Sequence, residues 1–126
     1  MKTSRIAGIV GFLGVALGAF GAHGFKSILE QNGTVPIWQT STLYHLVHAV
    51  VLLVLAARSS SDRAVPGSFW FFLVGVAIFS GSLYTLALTN IRWLGAITPL
   101  GGVSLLIGWA LVTLNGFGKQ PDDGKK

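Results

Sequence analysis

The chain has 126 residues, of which 52% are hydrophobic and only 10% are charged, and its mean hydropathy is +0.68. Soluble proteins carry about 25% charged residues, so this composition excludes an ordinary soluble domain. Cysteine is absent, which excludes disulfides and any metal or iron–sulfur site held by thiolates of this chain. The net charge of +5 comes from basic residues scattered at the ends of apolar segments, so no basic face forms that would bind nucleic acid.

The first predicted element is a membrane helix over residues 6–22, a segment without a charged residue. Its glycines recur every three or four residues and therefore share one side of the helix; they are Gly8, Gly11, Gly14, Gly18 and Gly21. Glycine costs roughly 1 kcal/mol relative to alanine in a helix exposed to water, but in a membrane it lets a second helix approach closely. The stripe therefore predicts a packing face, and it leads to His23.

A second interpretation of this segment is a cleaved secretory signal. Lys2 and Arg5 precede the apolar run, and the small residues Ala19 and Gly21 resemble a cleavage site. A cleaved signal needs no packing face, so the glycine stripe favours a helix that is retained.

The second predicted span covers residues 36–57, with Pro36 in its first turn and Trp38 as an anchor at the membrane surface. The segment before it, residues 24–35, is predicted to be a linker. It contains the glycosylation sequon Asn32-Gly33-Thr34. Because the sequon lies close to the membrane, we expect no functional glycosylation there.

Polar side chains follow one face of the second span at positions i, i+3, i+4 and i+7, namely Ser41, Tyr44, His45 and His48. His48 precedes Arg58 by about 15 Å at helical rise, which places it near the membrane midplane. No water satisfies a polar group at that depth, so His48 needs a partner. The serines of the third span and Tyr84 are the candidates.

The third predicted span covers residues 69–88, and the polar residues of its second half are Ser80, Ser82, Tyr84 and Thr85. The fourth span covers residues 98–117. We place its start at Thr98, as an N-cap before Pro99, because a proline deeper in the helix would remove a backbone bond. Residues 91–97 then form an interfacial connector. The remaining segments are a polar loop over residues 59–63 and a tail over residues 119–126, which is predicted to be disordered.

The distribution of basic residues predicts the orientation of the spans. Seven of the nine lie in the N-terminal segment, the loop between the second and third spans, or the tail: Lys2, Arg5, Arg58, Arg63, Lys119, Lys125 and Lys126. Only Lys26 and Arg92 lie in the connections at the other side. The positive-inside rule then places both termini in the cytoplasm.

This topology gathers polar residues of all four spans in the outer half of the membrane. The predicted polar layer consists of His23, Tyr44, His45, His48, Ser80, Ser82, Tyr84 and Thr98. The predicted helix-packing positions are Gly11, Gly14, Gly18, Gly21, Gly81, Gly101 and Gly108. Small residues four apart recur in three spans, as Gly14/Gly18, Ala77/Gly81 and Ser104/Gly108. We expect the glycines of the first helix to bring His23 into the layer.

Three interpretations of the histidines stay open. The favoured one is hydrogen bonding between helices, which stabilises a membrane bundle by about 0.6 kcal/mol per contact and by about 2 at most. The second is a haem or metal site, because neutral imidazole is a good ligand, although no carboxylate or cysteine lies nearby. The third is a path for protons or small solutes, which lacks an acidic partner within the membrane.

Motifs for catalysis are absent from the sequence. There is no Gly-x-Gly-x-x-Gly between a strand and a helix, no Walker loop and no His-Glu-x-x-His. No Ser/His/Asp triad can form in the spans, because the acidic residues lie in loops or the tail; they are Glu30, Asp62, Asp122 and Asp123. We therefore expect neither an enzyme nor a bound cofactor.

Four motifs occur in order along the chain: Gly18-Ala19-Phe20-Gly21-Ala22-His23-Gly24, Tyr44-His45-Leu46-Val47-His48-Ala49, Phe79-Ser80-Gly81-Ser82-Leu83-Tyr84, and Thr98-Pro99-Leu100-Gly101-Gly102 followed by Gly108-Trp109. Over residues 8–114 the chain thereby resembles the small multi-pass family that includes transmembrane protein 256 and the bacterial domain-of-unknown-function 423 group. The resemblance implies an integral membrane protein of about four helices. It implies no activity, substrate, cofactor or catalytic residue.

Taken together, the sequence predicts an all-α integral membrane bundle of four transmembrane helices within residues 1–118, in the plasma (inner) membrane or an organelle membrane. The favoured role is structural or accessory, through helix packing or a partner. The expected partners are the lipid bilayer and a second copy or another membrane protein, with no nucleic acid. The alternative is a small channel, a transporter, or a haem- or metal-binding protein built on His23, His45 and His48.

Overall fold

The computed structural model describes residues 1–116, and this part of the chain is all-helical, without strands. Its five α-helices are α1 (Lys2–Ala22), α2 (Lys26–Asn32), α3 (Val35–Arg58), α4 (Gly67–Thr89) and α5 (Thr98–Asn115). Two short 3₁₀ helices, Asp62–Ala64 and Arg92–Ala96, lie in the connections before α4 and α5. The last residue of the predicted fourth span and the tail predicted to be disordered lie outside the described residues.

Four helical segments are long and apolar enough to cross a membrane. They are α1, α3, α4 and the segment Arg92–Asn115, with 21, 24, 23 and 24 residues and mean hydropathy between 1.7 and 2.0. A helix rises 1.5 Å per residue, so about 20 residues cross the roughly 30 Å of hydrocarbon in a bilayer. Residues 1–116 therefore form an all-helical bundle with four segments that can span a membrane.

Proline occupies the first turn of both α3 and α5. Its missing N–H is harmless there, because the first N–H groups of a helix have no partner within the helix. Thr98 does not act as the N-cap that its position suggested. It is the first helical residue of α5, and no side chain caps that end.

The predicted linker over residues 24–35 is not a simple linker, because it contains α2. Gly33 ends this helix in the left-handed conformation, at a φ of +66°, which glycine adopts without strain. The Asn32 amide donates to the carbonyls of Ala87 and Leu88 at 3.0 and 3.2 Å, and the Thr34 hydroxyl donates to Ala87 O at 2.8 Å. These bonds cap the C-terminus of α4 and hold α2 across the end of the bundle.

The long helices pack in chain order, α1 on α3, α3 on α4, and α4 on α5. The two flanking interfaces are antiparallel. Gly11 of α1 faces Ala49 of α3, whereas Gly21 faces Trp38, eleven residues earlier in the chain. Consequently α3 and α4 form the centre of the bundle, and α1 and α5 lie at its flanks. The core near one end contains apolar side chains that are fully buried or nearly so, including Leu52, Leu55, Phe69 and Phe72.

A carboxylate from a distant loop caps the first turn of α1. The Asp62 carboxylate accepts hydrogen bonds from the backbone N–H groups of Lys2 and Thr3, at 2.9 and 3.0 Å, and from the Thr3 hydroxyl at 2.7 Å. Hydrogen bonds to the charged form, those from Thr3 first, lower the pKa of Asp62 from 3.8 to about 2. Asp62 thus ties the start of α1 to the connection between α3 and α4.

Candidate functional site

The polar face of α3 is buried at the centre of the bundle. Ser41, His45 and His48 are 0%, 6% and 5% exposed. Their spacing of four and three residues keeps them on one side of the helix, and α3 lies between α1 and α4. Each polar group there must find a partner within the protein, because the bilayer core supplies no water.

His45 connects three helices. Its Nε2 lies 2.7 Å from the Val10 carbonyl oxygen of α1, and its Nδ1 lies 2.9 Å from the Tyr84 hydroxyl of α4. A carbonyl only accepts, so Nε2 carries the proton; in the neutral ring Nδ1 then accepts from Tyr84. Both ring nitrogens are therefore engaged.

His48 connects α3 to α5. Its Nδ1 donates to the Tyr44 carbonyl of its own helix at 2.7 Å, and its Nε2 accepts from the Trp109 indole N–H at 3.1 Å. The prediction that His48 pairs with Tyr84 or a serine of the third span is wrong. Trp109 is the residue that sequence reasoning missed; an indole N–H in a membrane helix needs an acceptor, and that requirement could have indicated it.

Two serines form a reciprocal pair between α3 and α4. The Ser41 hydroxyl donates to the Ser80 carbonyl at 2.9 Å, and the Ser80 hydroxyl donates to the Ser41 carbonyl at 3.0 Å. A second hydroxyl pair connects α4 to α5, where Ser82 and Thr98 lie 2.7 Å apart. Each hydroxyl also has a carbonyl acceptor on its own side, Phe79 at 3.0 Å from Ser82 and Leu94 at 3.5 Å from Thr98, so either hydroxyl can be the donor within the pair.

Two members of the predicted polar layer lie at its margin or outside it. The His23 side chain is exposed, because α1 ends at Ala22 and the chain turns away there toward α2. The expectation that the glycine stripe brings His23 into the layer is therefore wrong. Tyr44 is 41% exposed and contributes its backbone carbonyl and a ring that stacks on His48, with centroids 6.1 Å apart.

The glycine stripe of α1 exposes backbone carbonyls to donors on α3. The Trp38 indole N–H donates to the Leu17 carbonyl at 2.9 Å, two helical turns from the bond between His45 and Val10. In a helix each Cβ tilts toward the N-terminus, so a side chain at i+4 would lie beside the carbonyl of residue i. The residues four positions after Val10 and Leu17 are Gly14 and Gly21.

Cβ atoms placed on these glycines show how close α3 lies. At Gly21 a Cβ would clash with the Trp38 indole nitrogen, and at Gly14 it would lie 3.3 Å from His45 Cδ2 and 2.7 Å from Leu46 Cδ2. Trp38, which was predicted to anchor the start of α3 at the membrane surface, is 3% exposed and packs within the bundle near that end of the helix.

Four other predicted packing positions lie in contact with a neighbouring helix. A Cβ at Gly18 would lie 3.1 Å from Thr42 Cγ2, and one at Gly11 would make an ordinary contact with Ala49. In α5, Gly101 lies directly against the backbone of Phe79, and a Cβ at Gly108 would lie 2.8 Å from the Phe72 ring.

Gly81 is not a packing position, because a Cβ there would have no neighbour within 4 Å. Gly75 of α4, which the sequence analysis did not select, is one. A Cβ at Gly75 would lie 2.6 Å from Leu105 Cδ2.

The chemistry available to this network is limited. Within residues 1–116 no three histidine, cysteine or acidic side chains gather where they could hold a metal ion. All four ring nitrogens of His45 and His48 make hydrogen bonds within the chain. The arrangement therefore connects α1, α3, α4 and α5 through buried hydrogen bonds.

Fold and network define a small polytopic helical membrane protein. The family model described as "Protein of unknown function (DUF423)" matches residues 17–102. The chain is 42% identical over 118 residues to "UPF0382 membrane protein YwdK" of Bacillus subtilis (strain 168), covering 90% of this chain and 95% of that protein. It is 43% identical over 114 residues to "UPF0382 inner membrane protein YgdD" of Escherichia coli (strain K12), covering 84% and 82%.

A third relative, "UPF0382 membrane protein SERP0230" of Staphylococcus epidermidis, is 41% identical over 116 residues, covering 90% of this chain and 94% of that protein. The chain belongs to the DUF423 family of membrane proteins, as the four motifs predicted. No solved structure matches it.

Proposed function

We propose that this chain is a structural or accessory membrane protein whose buried polar residues fasten the four spans together. One observation carries the proposal: His45 and His48 use every ring nitrogen for hydrogen bonds within the chain. A metal or haem iron could bind either ring only by displacing a hydrogen bond within the chain, and at Nε2 of either ring that bond joins two helices. Because all four ring nitrogens are already hydrogen-bonded, we favour a role in holding the helices together over a cofactor site or a path for solutes.

The direct test is the free energy of unfolding of purified His45→Phe and His48→Phe variants in detergent. Each substitution should lower it by about 1 to 2 kcal/mol, because contacts between membrane helices are lost. The wild-type absorption spectrum should show no haem band. A Soret band that disappears in a His48→Ala variant would contradict the proposal.

A solute path is tested separately in proteoliposomes. Histidine titrates near neutral pH, so a proton path through the network should show flux between about pH 5 and 8. A fastening role predicts a flux equal to that of empty vesicles throughout this range. Flux that is abolished by His45→Phe would favour the alternative of a small channel or transporter.

We further propose that both termini face the cytoplasm and that the chain resides in the plasma (inner) membrane. The contact between Asp62 and Thr3 places the N-terminus and the connection between α3 and α4 at the same end of the bundle. The basic residues at this end are Lys2, Arg5, Arg58 and Arg63, which the positive-inside rule assigns to the cytoplasm. Reporter fusions after Lys119 and within residues 59–62 should both report a cytoplasmic location; a periplasmic tail would contradict this orientation.

We also propose that α1 is not cleaved as a signal peptide and remains in the mature protein. Support comes from its contacts, since Asp62 caps its first turn while Trp38 and His45 bind its carbonyls. The intact mass of protein purified from membranes should include α1. Loss of about twenty residues, the length of a cleaved signal, would contradict retention.

An accessory role requires a partner, and the flanking helices are where one could pack. Large apolar side chains are exposed on α1 and α5, among them Phe12 at 74% and Leu106 at 69%. In a membrane such side chains face lipid or another protein. Crosslinking in native membranes should capture a stoichiometric neighbour or a second copy, and capture of lipid alone would restrict the role to a structural one.

A further inference from the structure

The geometry points to a binding site for one zwitterionic phospholipid with a primary ammonium headgroup, at the end of the bundle where α1 stops. A cavity of about 370 Å³ lies there between α1, α2 and α3. Its apolar wall includes Gly18, Leu29 and Trp38, and its polar rim includes Lys26 and Glu30. An apolar cavity with a charged rim at the end of membrane helices fits a molecule with an acyl chain and a charged headgroup.

The wall that α2 contributes is held in place from the far side of the bundle. Asn32 and Thr34 bind the carbonyl of Ala87 at the end of α4, and Arg92 donates to the Asn32 carbonyl at 3.3 Å. Leu29 is 1% exposed and anchors the middle of α2. The cavity is therefore largely formed before a ligand enters, which reduces the entropy cost of binding.

Hydrogen-bond acceptors gather where α1 meets the cavity. In a continuous helix the carbonyls of Gly21 and Ala22 would accept from Phe25 and Lys26. Those two N–H groups instead donate to the Phe20 and His23 carbonyls, at 2.7 and 3.3 Å. The carbonyls of Gly21 and Ala22, two residues that line the cavity, thus lack their helical partners, and the C-terminus of a helix carries a partial negative charge. The Glu30 carboxylate on the rim adds a full negative charge.

This environment selects a headgroup by charge and by hydrogen-bond donors. A primary ammonium offers three N–H donors to the carboxylate of Glu30 and the carbonyls of Gly21 and Ala22. The phosphate of the same lipid is complemented by Lys26, whose Nζ lies 4.0 Å from Glu30 Oε1. A choline headgroup has no N–H to donate, and a glycerol headgroup brings no positive charge. The expected ligand is therefore a phosphatidylethanolamine, with an acyl chain along Gly18 and Thr42.

The experiment measures lipid binding to the full chain in detergent by native mass spectrometry, with ethanolamine, choline and glycerol phospholipids of identical chains. Exposed charge pairs are weak, so the expected preference for ethanolamine over choline is about fivefold. Glu30→Gln should reduce that preference to about onefold. A matched control, the double variant Ser27→Glu/Glu30→Gln, keeps the net charge but moves the carboxylate off the cavity; it should lose the preference as well.

A second pair of variants tests the cavity itself. Ala22→Phe places a ring in the cavity and should abolish retention of the ethanolamine lipid, whereas Ala19→Phe, at an exposed position of α1 that does not line the cavity, should leave retention unchanged. Unfolding temperatures within error of wild type exclude misfolding as the cause.

The proposed site would be overturned by equal binding of the three lipids or by a preference for the glycerol lipid. It would also be overturned if the double variant regained the preference for ethanolamine, or if Ala22→Phe still retained the ethanolamine lipid. Detergent removes any dependence on orientation, so these results are independent of the topology and fastening role proposed above.

Discussion

Glycine serves different purposes in the two flanking interfaces of this bundle. Between α1 and α3, Gly14 and Gly21 expose the carbonyls of Val10 and Leu17, and donors from α3 bind them. Between α4 and α5, Gly101 and Gly108 instead admit the backbone and ring of phenylalanines. A small residue in a membrane helix can therefore make room for a hydrogen bond or for a packed side chain, and the sequence motif is the same in both cases.

The difference follows from how much of each helix is covered. Among the buried residues of α1, namely Thr3, Ala7 and Gly14, there is no large apolar side chain, whereas α5 buries Leu105, which packs on Gly75 of α4, together with Thr98, Gly101 and Gly108. In lipid, helices associate through close packing and hydrogen bonds rather than through the hydrophobic effect. We therefore expect α1 to depend mainly on its polar bonds and α5 mainly on its packing.

The largest expected effect is in the packed interface. Gly101→Leu places a side chain against the Phe79 backbone, which cannot move aside as a flexible side chain could. Overpacking of this kind should cost about 3 kcal/mol or more of unfolding free energy, measured by reversible SDS unfolding in micelles. The matched control is Gly81→Leu, where a Cβ would have no neighbour within 4 Å; it should be neutral or stabilising by up to about 1 kcal/mol, the difference in helix propensity. Similar losses in both variants would show that packing does not distinguish the two positions.

Gly21→Ala tests the polar interface. The methyl group would clash with the Trp38 indole nitrogen and displace it from its bond to Leu17. We expect a loss of about 2 kcal/mol by the same unfolding measurement, from the displaced indole and the lost bond. Gly8→Ala has open space and should be neutral or stabilising by up to about 1 kcal/mol, the difference in helix propensity. If Gly21→Ala instead raised the free energy of unfolding, the close approach of Trp38 to Gly21 would not be needed for α3 to pack on α1.

The third comparison sets the two hydrogen bonds of His45, which join α3 to α1 and to α4, against one hydrogen bond between α4 and α5. His45→Phe removes bonds to both Val10 and Tyr84, so it should cost about 1 to 2 kcal/mol. Ser104→Ala removes one exposed bond, from the Ser104 hydroxyl to the Phe71 carbonyl, and should cost about 0.5 kcal/mol. Both are measured by reversible unfolding, and equal costs would contradict the greater dependence of α1 on polar bonds.

The smallest effect is local and depends on pH. The pKa of Asp62 is lowered from 3.8 to about 2 in the folded protein, so its cap on α1 is complete above about pH 4 and is lost as the pH falls through 2. Hydrogen exchange at the Lys2 and Thr3 amides should accelerate over this interval beyond its intrinsic pH dependence, while amides in α5 stay protected. In Asp62→Asn this extra dependence should disappear. Unchanged protection of both amides in wild type would mean that the carboxylate does not cap α1.

Much of the architecture was predictable because hydropathy and proline report directly on membrane helices. Pro36 and Pro99 can occupy only the start of a helix without cost, and the structure places each in a first turn. The polar face containing Ser41, His45 and His48 was visible as a helical spacing. Its partners were not, because they depend on which sides of α4 and α5 turn toward α3.

The missed features depend on contacts between distant residues. The helix α2 has only two apolar residues, Ile28 and Leu29, so it shows no amphipathic pattern; bonds from Asn32 to the end of α4 hold it in place. Gly75 and Gly81 are the same residue type on one helix, and only the position of Leu105 makes Gly75 the close contact. Likewise, the glycine stripe correctly indicated a packing face, while its alignment with His45 and Trp38 required the register of α3.

The most direct test of the difference between the two interfaces is the amide I frequency of single carbonyls in α1, labelled with ¹³C and ¹⁸O. A carbonyl that accepts a second hydrogen bond is further polarised and absorbs at lower frequency. Leu17 accepts from Trp38, whereas Leu13, of the same residue type one turn earlier, has Leu17 rather than glycine four positions later. The label at Leu17 should absorb at lower frequency than the label at Leu13, and Trp38→Phe should raise it to the Leu13 value. Equal frequencies in wild type, or no shift in Trp38→Phe, would contradict the claim that glycines expose the α1 carbonyls to α3.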